Sequence, residues 1–272
     1  MSNRLTGRNA VVTGAASGLG EATVRRFHAE GARVILADLA IERAQAIAAS
    51  LDPSGKTAKA VACDIADPAS CDHLVIEAEA FFGAPIDLFH ANAGTSISGA
   101  LPEADPAQIA RAIGINLTGA IFSAQAALRS LARAGQAAET GASQACLLFT
   151  SSLQGVIARA ERSVYTASKH AITGLTKSLA LEFGPQGVRV NALAPVGIDT
   201  PLLRTQLSRV TDDVDGRIAQ MGANLPLGHL PTPDDFTDAA VFLASREARC
   251  ITGHTLLIDC GAAAGLRDPA RR

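Results

Sequence analysis

Seven short runs of mostly Ala, Val, Leu and Ile punctuate the chain, at 10–13, 33–37, 58–63, 86–91, 145–150, 188–193 and 254–258. Most are apolar throughout instead of alternating with polar residues, the pattern of strands in a parallel sheet covered on both faces. Longer stretches of helical periodicity lie between them, near 18–30, 41–51, 68–82, 105–134, 163–183 and 232–245. Strand and helix in alternation imply right-handed βαβ units. The expected fold is therefore α/β: a doubly wound, mostly parallel seven-stranded sheet with helices on both faces. No repeat and no linker divides the chain, so 1–265 is expected to be one domain, with "LRDPARR" (266–272) a solvated tail.

Two stretches break the rhythm. "LARAGQAAETGASQA" (131–145) is small and polar and predicts a surface excursion between a helix and a strand. Residues 197–231 follow the sixth strand at its carboxyl end, where ligands of open α/β sheets bind. A mobile substrate cover and an ordinary long loop both fit that segment.

Composition narrows the function classes. Hydrophobic residues make up 48% of the 272 positions and charged residues 18%, enough to fill a large core, which few aromatics force onto Ala, Val, Leu and Ile. A net charge of -2 gives no general field for nucleic acid or an anionic membrane. No apolar run nears the roughly 18 residues of a membrane span, and the N-terminus reaches "NAVVTGAA" too early for a secretory signal. The five cysteines are dispersed with no CxxC pair, which points to reduced thiols in a cytoplasm. The six histidines show no ligand spacing, so no metal is expected.

The first strand runs into "TGAASGLG", which opens directly into a helical pattern. Glycines at 14, 18 and 20 allow a tight turn and close approach of a pyrophosphate to the helix N-terminus. Gly14, Ser17, Gly18, Leu19 and Gly20 are the candidate phosphate loop. Asp38 ends the second strand, where an acid can accept hydrogen bonds from both ribose hydroxyls of an adenosine and repel a 2′-phosphate. A helix N-cap is the alternative role for it. Leu39 and the loop residues Ala15, Ala16 and Ser17 are neutral; Arg43 is the one nearby cation that could attract that phosphate. NAD is therefore expected over NADP. Asp64 and Ile65 end the third strand and Asn92, Ala93 and Gly94 the fourth, so both would wall the cofactor.

The only tyrosine in the chain stands in "SVYTASKH" (163–170), four residues before Lys169. On a helix that spacing sets a phenol beside an ammonium group. One charge about 4 Å away, at an effective dielectric near 20, is worth about 4 kcal/mol. That could lower a phenol pKa of about 10 by roughly three units.

These parts together resemble the short-chain dehydrogenase/reductase family, whose fold is Rossmann-type. The resemblance spans nearly the whole chain: TGxxxGxG, Asp38, Asp64–Ile65, Asn92–Ala93–Gly94, Asn116 in "GINLTG", Ser152 in "FTSSLQG", and Tyr165 with Lys169. Ser152 precedes Tyr165 by 13 positions, as the family's serine does, which separates it from Ser151. The resemblance implies that Tyr165 exchanges a proton with the substrate oxygen, Lys169 binds the nicotinamide ribose, and Ser152 hydrogen-bonds that oxygen. Asn116 would hold a water linked to Lys169; a helix kink or internal hydrogen bond is its other reading. Pro195, Ile198 and Thr200 would pass the nicotinamide.

The implied activity is NAD-dependent interconversion of a secondary alcohol and a ketone by a homotetramer built on the helices containing Asn116 and Tyr165. Two alternatives stand beside it: a 3-oxoacyl-carrier-protein reductase, disfavoured by Asp38 and the lack of a basic cluster, and a non-catalytic NAD sensor. Val196 after Pro195 and Cys260 in "DCG" depart from the usual family pattern, and could reshape the pocket or pack at a subunit contact. Gln154, Arg159, Glu161 and Arg162 hint at a small polar substrate, a sugar, polyol or hydroxy acid.

Overall fold

A computed structural model of the chain describes residues 3–137 and 145–265. Seven strands form one sheet: β1 (Asn9–Thr13), β2 (Arg33–Asp38), β3 (Ala58–Ala62), β4 (Leu88–Ala91), β5 (Ala145–Thr150), β6 (Val188–Pro195) and β7 (Thr255–Ile258). Their spatial order is β3-β2-β1-β4-β5-β6-β7, and every pairing is parallel. The expectation of a mostly parallel sheet thus resolves to a wholly parallel one.

Alternate residues of single strands explain the unbroken apolar runs. Val11, Leu147 and Phe149 pack into one core layer. Val12, Cys146 and Leu148 pack into the layer on the opposite face. A strand buried on both faces has no side on which a polar residue is cheap.

Helices cover the two layers. They are α1 (Gly18–Ala29), α2 (Ile41–Leu51), α3 (Pro68–Phe82), α4 (Pro106–Ile113), α5 (Ala120–Ala137), α6 (Ser163–Phe183), α7 (Pro201–Leu207), α8 (Val214–Ala223) and α9 (Pro233–Ala244). Their starts are written in the sequence. Asp67 and Asp105 each cap a helix that begins with proline, accepting from the amides of Ala69 and Ala107. Thr232 and Asp235 cap α9 reciprocally.

Three expected boundaries change. The 105–134 helix is interrupted by a π-helical turn, Gly114–Gly119, between α4 and α5. Part of the excursion expected at 131–145 is helical, since α5 continues to Ala137; its middle, 138–144, and the tail expected at 266–272 lie outside the described residues. The 197–231 segment holds two helices, α7 and α8, which reach over the carboxyl edge of the sheet.

Strand order reverses direction between β1 and β4, so their following loops diverge to opposite faces and leave a crevice at the carboxyl ends. Among the described residues no helix is long and apolar enough to cross a membrane, and no cluster of His, Cys, Asp or Glu could hold a metal ion. All five cysteines are free thiols.

Candidate active site

The crevice is a cleft of about 720 Å³. Its walls include all the candidate residues but one: Gly14, Ser17, Gly18, Leu19, Gly20, Asp38, Leu39, Asp64, Ile65, Asn92, Ala93, Gly94, Ser152, Tyr165, Lys169, Pro195, Ile198 and Thr200. Asn116 is buried just behind them.

At one end, the turn after β1 leaves no room for side chains. A Cβ on Gly20 would sit 1.9 Å from the Gly14 carbonyl oxygen, and one on Gly14 would come within 2.9 Å of Ala93 Cα. Gly14 and Gly18 also have positive φ, 66° and 55°. The result is a bare backbone cradle at the N-terminus of α1, the feature a pyrophosphate needs. Asp38 reaches across to this turn: its Oδ2 accepts from the Ala16 amide and its Oδ1 from the Ala40 amide, each at 2.9 Å. It does not cap α2, whose N-cap is Ala40. Arg43 lies beside Glu21, at 3.4 Å. Residues present thus fit a dinucleotide.

Thr13 organises the wall opposite. Its hydroxyl oxygen accepts from the amides of Asn92 and Ala93, while Asn92 Nδ2 donates to the Thr13 carbonyl at 3.0 Å. Behind it, Thr150 Oγ1 donates to Asn92 Oδ1, so the fully buried His90 must donate its Nε2–H to that same hydroxyl, at 2.8 Å. The "NAG" run is thereby bolted to β1 and β5. Thr13 and His90 carry no signal in the sequence beyond their places in strands, and only the register of β1, β4 and β5 brings them here.

At the other end Ser152, Tyr165 and Lys169 converge from two elements. Ser152 ends the β5 loop and accepts from the Gln154 amide. Neighbouring Ser151 donates to the Lys169 carbonyl at 3.2 Å. The two serines, both on the cleft wall, thus differ in the bonds that hold them. Lys169 is buried and donates to the Thr150 carbonyl at 2.8 Å. Burial pulls its ammonium down to about 8.

Tyr165 differs from expectation. Its phenol is pushed up, not down, because burial outweighs the groups that oppose it: hydrogen bonding with Ser152 and the positive charge of Arg162. Lys169 is not one of them. The i+4 spacing sets its Nζ over the ring face, 5.8 Å from the centroid, and the Thr150 carbonyl holds it there. Arg162, three residues before Tyr165, is the cation that acts on the phenol.

Asn116 sits in the π turn. Its Oδ1 accepts from the Thr95 amide at 2.7 Å and its Nδ2 donates to the Thr95 carbonyl at 2.9 Å. The side chain is therefore engaged in an internal hydrogen-bond pair, the alternative reading given above. It still faces the site: a Cβ on Gly94 would lie 3.3 Å from Asn116 Oδ1 and 3.7 Å from Lys169 Nζ. π turns recur where a helix must aim a functional side chain.

Val196 directly follows β6 and extends its ladder by one bond, its amide donating to the Ile258 carbonyl at the end of β7. Cys260 is half-buried and adopts a left-handed φ of 49°, a conformation that glycine takes freely. Ser96, Gln206 and Met221, from the segments 95–103 and 197–225 expected to build the pocket, also line the substrate end, and so does Arg111, to which nothing in the sequence pointed. The fold completes a basic cluster there by adding Arg111 to Arg159 and Arg162, which the sequence already places together.

Comparison with known proteins follows this geometry. A family model described as enoyl-(acyl carrier protein) reductase matches residues 14–263. The cis-4-hydroxycyclohexanecarboxylate dehydrogenase of Sinomonas cyclohexanicum is 38% identical over 96% of this chain and 98% of its own. The 2,5-dichloro-2,5-cyclohexadiene-1,4-diol dehydrogenase of Sphingobium indicum is 35% identical over 98% of this chain and all of its own. A 3-ketoacyl-(acyl-carrier-protein) reductase from Brucella melitensis, solved in complex with NADH, superposes with a TM-score of 0.82 at 32% identity, covering 94% of this chain and 98% of that one.

Proposed function

The chain belongs to the short-chain dehydrogenase/reductase family, and from that premise we propose that it interconverts a small polar secondary alcohol and its ketone, using NAD. The observation that carries this reading is the meeting of Ser152, Tyr165 and Lys169 in the same cleft as the bare glycine cradle and Asp38. The relatives named above include dehydrogenases of a cyclic hydroxy acid and a cyclic diol.

Bound NAD would supply the acceptor for the hydride leaving the alcohol carbon. The chain's own residues handle everything else. The cradle at Gly14, Gly18 and Gly20 and the α1 N-terminus hold the pyrophosphate. Asp38, already oriented by two backbone amides, accepts from the adenosine ribose and repels a 2′-phosphate, while Glu21 occupies Arg43. This arrangement favours NAD over NADP. Lys169 directs the donors not used by Thr150 towards the nicotinamide ribose, with Ile198 and Thr200 alongside. Ser152 holds the substrate oxygen, and Tyr165 takes its proton in oxidation or returns it in reduction. Asn116 acts on the site by fixing the Thr95 backbone beside Lys169. The α7–α8 segment covers the substrate. A cytoplasmic homotetramer without nucleic-acid or membrane partners completes the proposal.

The acyl-carrier-protein reductase reading has the Brucella structure in its favour, and Asp38 does not select between the two, since that structure holds NADH. The diol and hydroxy-acid dehydrogenases match across more of the chain at higher identity.

The test is NADH formation by wild-type and Tyr165→Phe protein across polyols, sugars, hydroxy acids and hydroxyacyl thioesters, with NADP in parallel. Turnover with NAD that falls at least a thousandfold in the variant is expected. Equal turnover in both proteins would remove Tyr165 from the chemistry, and a preference for NADP would overturn the role of Asp38. Tight NAD binding without turnover would favour a sensor.

A further inference from the structure

Among the described residues, the substrate end of the cleft carries three arginines beside Lys169 and no acid. Arg111 on α4, Arg159 in the loop before α6 and Arg162 at the head of α6 line it, whereas the only carboxylates on the cleft walls, Asp38 and Asp64, belong to the nucleotide end. Arg111 and Arg159 are exposed, but Arg162 is half-buried.

Its partners are all neutral. Arg162 Nη1 donates to Ser96 Oγ at 2.8 Å, and Nη1 and Nη2 each reach Gln206 Oε1 on α7 at 3.4 Å. Among the described residues no carboxylate pairs with it. Burial, and then Arg159, make the cation harder to keep. Leaving a partly buried guanidinium without an anion costs free energy.

The backbone is committed to this placement as well. Glu161 holds a left-handed φ of 60°, uncommon for a side-chain-bearing residue, and its carbonyl accepts from the Gly99 amide at 2.9 Å. Arg162 is the N-cap of α6 yet makes no side-chain capping bond, so the positive end of a 21-residue helix stays open at the same place. A charge that is oriented, unpaired and set beside Tyr165 lacks only an anion. Gln206 Oε1, approached by both Nη atoms at long range, marks the position. A carboxylate there would accept two charge-assisted bonds at about 2.7–2.9 Å.

We propose that Arg162 determines substrate specificity, and that the substrate is a hydroxy acid whose carboxylate replaces Gln206 on the guanidinium while its hydroxyl lies between Ser152 and Tyr165. This rests on the dehydrogenase reading above and names its substrate class. Planar, bidentate acceptance suits a carboxylate, and lysine does not reproduce it.

The test separates binding from turnover. Cyclohexanecarboxylate, cyclohexanecarboxamide and cyclohexyl phosphate, none of which can be oxidised at a hydroxyl, are titrated calorimetrically into the NAD⁺ complexes of wild type, Arg162→Gln and Arg162→Lys. The wild type is expected to bind the carboxylate at least tenfold tighter than the amide. In Arg162→Gln that gap should close to within twofold, and in Arg162→Lys it should persist in part. Equal binding of carboxylate and amide by wild type, a gap that survives Arg162→Gln, or a preference for the phosphate would each overturn the proposal. Should Arg162→Gln fail to fold, the wild-type comparison and Arg162→Lys decide it.

Oxidation of 4-hydroxycyclohexanecarboxylate and of cyclohexanol by wild type and Tyr165→Phe is measured alongside. Turnover of both alcohols without a carboxylate preference would sink the Arg162 proposal alone. A carboxylate preference without turnover of any alcohol would leave the anion site standing and remove the dehydrogenase reading.

Discussion

At the scale of single residues, the site rests on a half-buried tyrosine whose phenol pKa is pushed up by desolvation. Oxidation needs the phenolate and reduction the phenol, so the two directions should respond to pH with opposite signs. With NAD saturating, alcohol oxidation is expected to rise about tenfold per pH unit through the neutral range, as the phenolate fraction grows. Ketone reduction should stay level until pH approaches the phenol pKa. Initial rates from pH 6 to pH 10 in both directions check this, and an oxidation rate already level at pH 7 would contradict it. Arg162→Gln removes one of the two groups that hold the phenol down, so its oxidation profile should move to higher pH. Cys260 offers a stability test of a different kind. Its left-handed φ costs about 1 kcal/mol for a residue with a Cβ, partly offset in a glycine variant by greater chain entropy in the unfolded state. Cys260→Gly is therefore expected to raise stability by up to about 1 kcal/mol in urea unfolding; a loss would mean that the thiol packs better than its backbone sits.

At the scale of elements, strand and helix identities were legible because a parallel strand buried on both faces and an amphipathic crossover helix have different periods. The glycine turn after β1 was legible for a steric reason, since only glycine fits where a Cβ on residue 20 would stand 1.9 Å from a carbonyl oxygen. Gly20→Ala should accordingly weaken NAD binding by more than tenfold and cost about 1–3 kcal/mol of stability through forced backbone movement. NADH fluorescence titration and thermal melts read both effects. Harder to foresee was the π turn at Gly114–Gly119, because its sequence continues the helical period of its neighbours; the extra residue per turn is decided by Asn116 bonding to both polar groups of the Thr95 backbone. The two helices within 197–231 were equally hidden. Each is short, at seven and ten residues, and owes its start to a local cap, Thr200 for α7 and Asp213 for α8. The lysine effect on Tyr165 failed for a related reason: helical spacing fixes which residues are neighbours but not whether an ammonium meets the hydroxyl or the ring face.

At the scale of the molecule, the sequence set Arg159 and Arg162 in one run, but Arg111 was out of reach because it belongs to a different crossover and joins them at the cleft only after the sheet has formed. The proposed tetramer calls for the same kind of argument. The outward face of α6 presents Ala167, Gly174, Ser178 and Leu181, a stripe at seven-, four- and three-residue spacing in which Leu181 is 82% exposed. On α5, Ile121 is also exposed, at 39%. Small residues let a second helix approach closely, and a leucine left in water at the end of such a stripe gains about 1.5–3 kcal/mol when fully covered. A pair of such faces related by a twofold axis covers it twice, since each chain offers the same patch to the other. Burying a carboxylate there instead would break the contact. Leu181→Glu is therefore expected to turn a tetramer of 27.9 kDa chains into smaller species in sedimentation velocity at micromolar concentration, with NAD affinity kept, because Leu181 lies two turns or more beyond Lys169 on α6. A wild type that sediments as a monomer would refute the tetramer outright. A Leu181→Glu tetramer as stable as the wild type would place the subunit contact on another face.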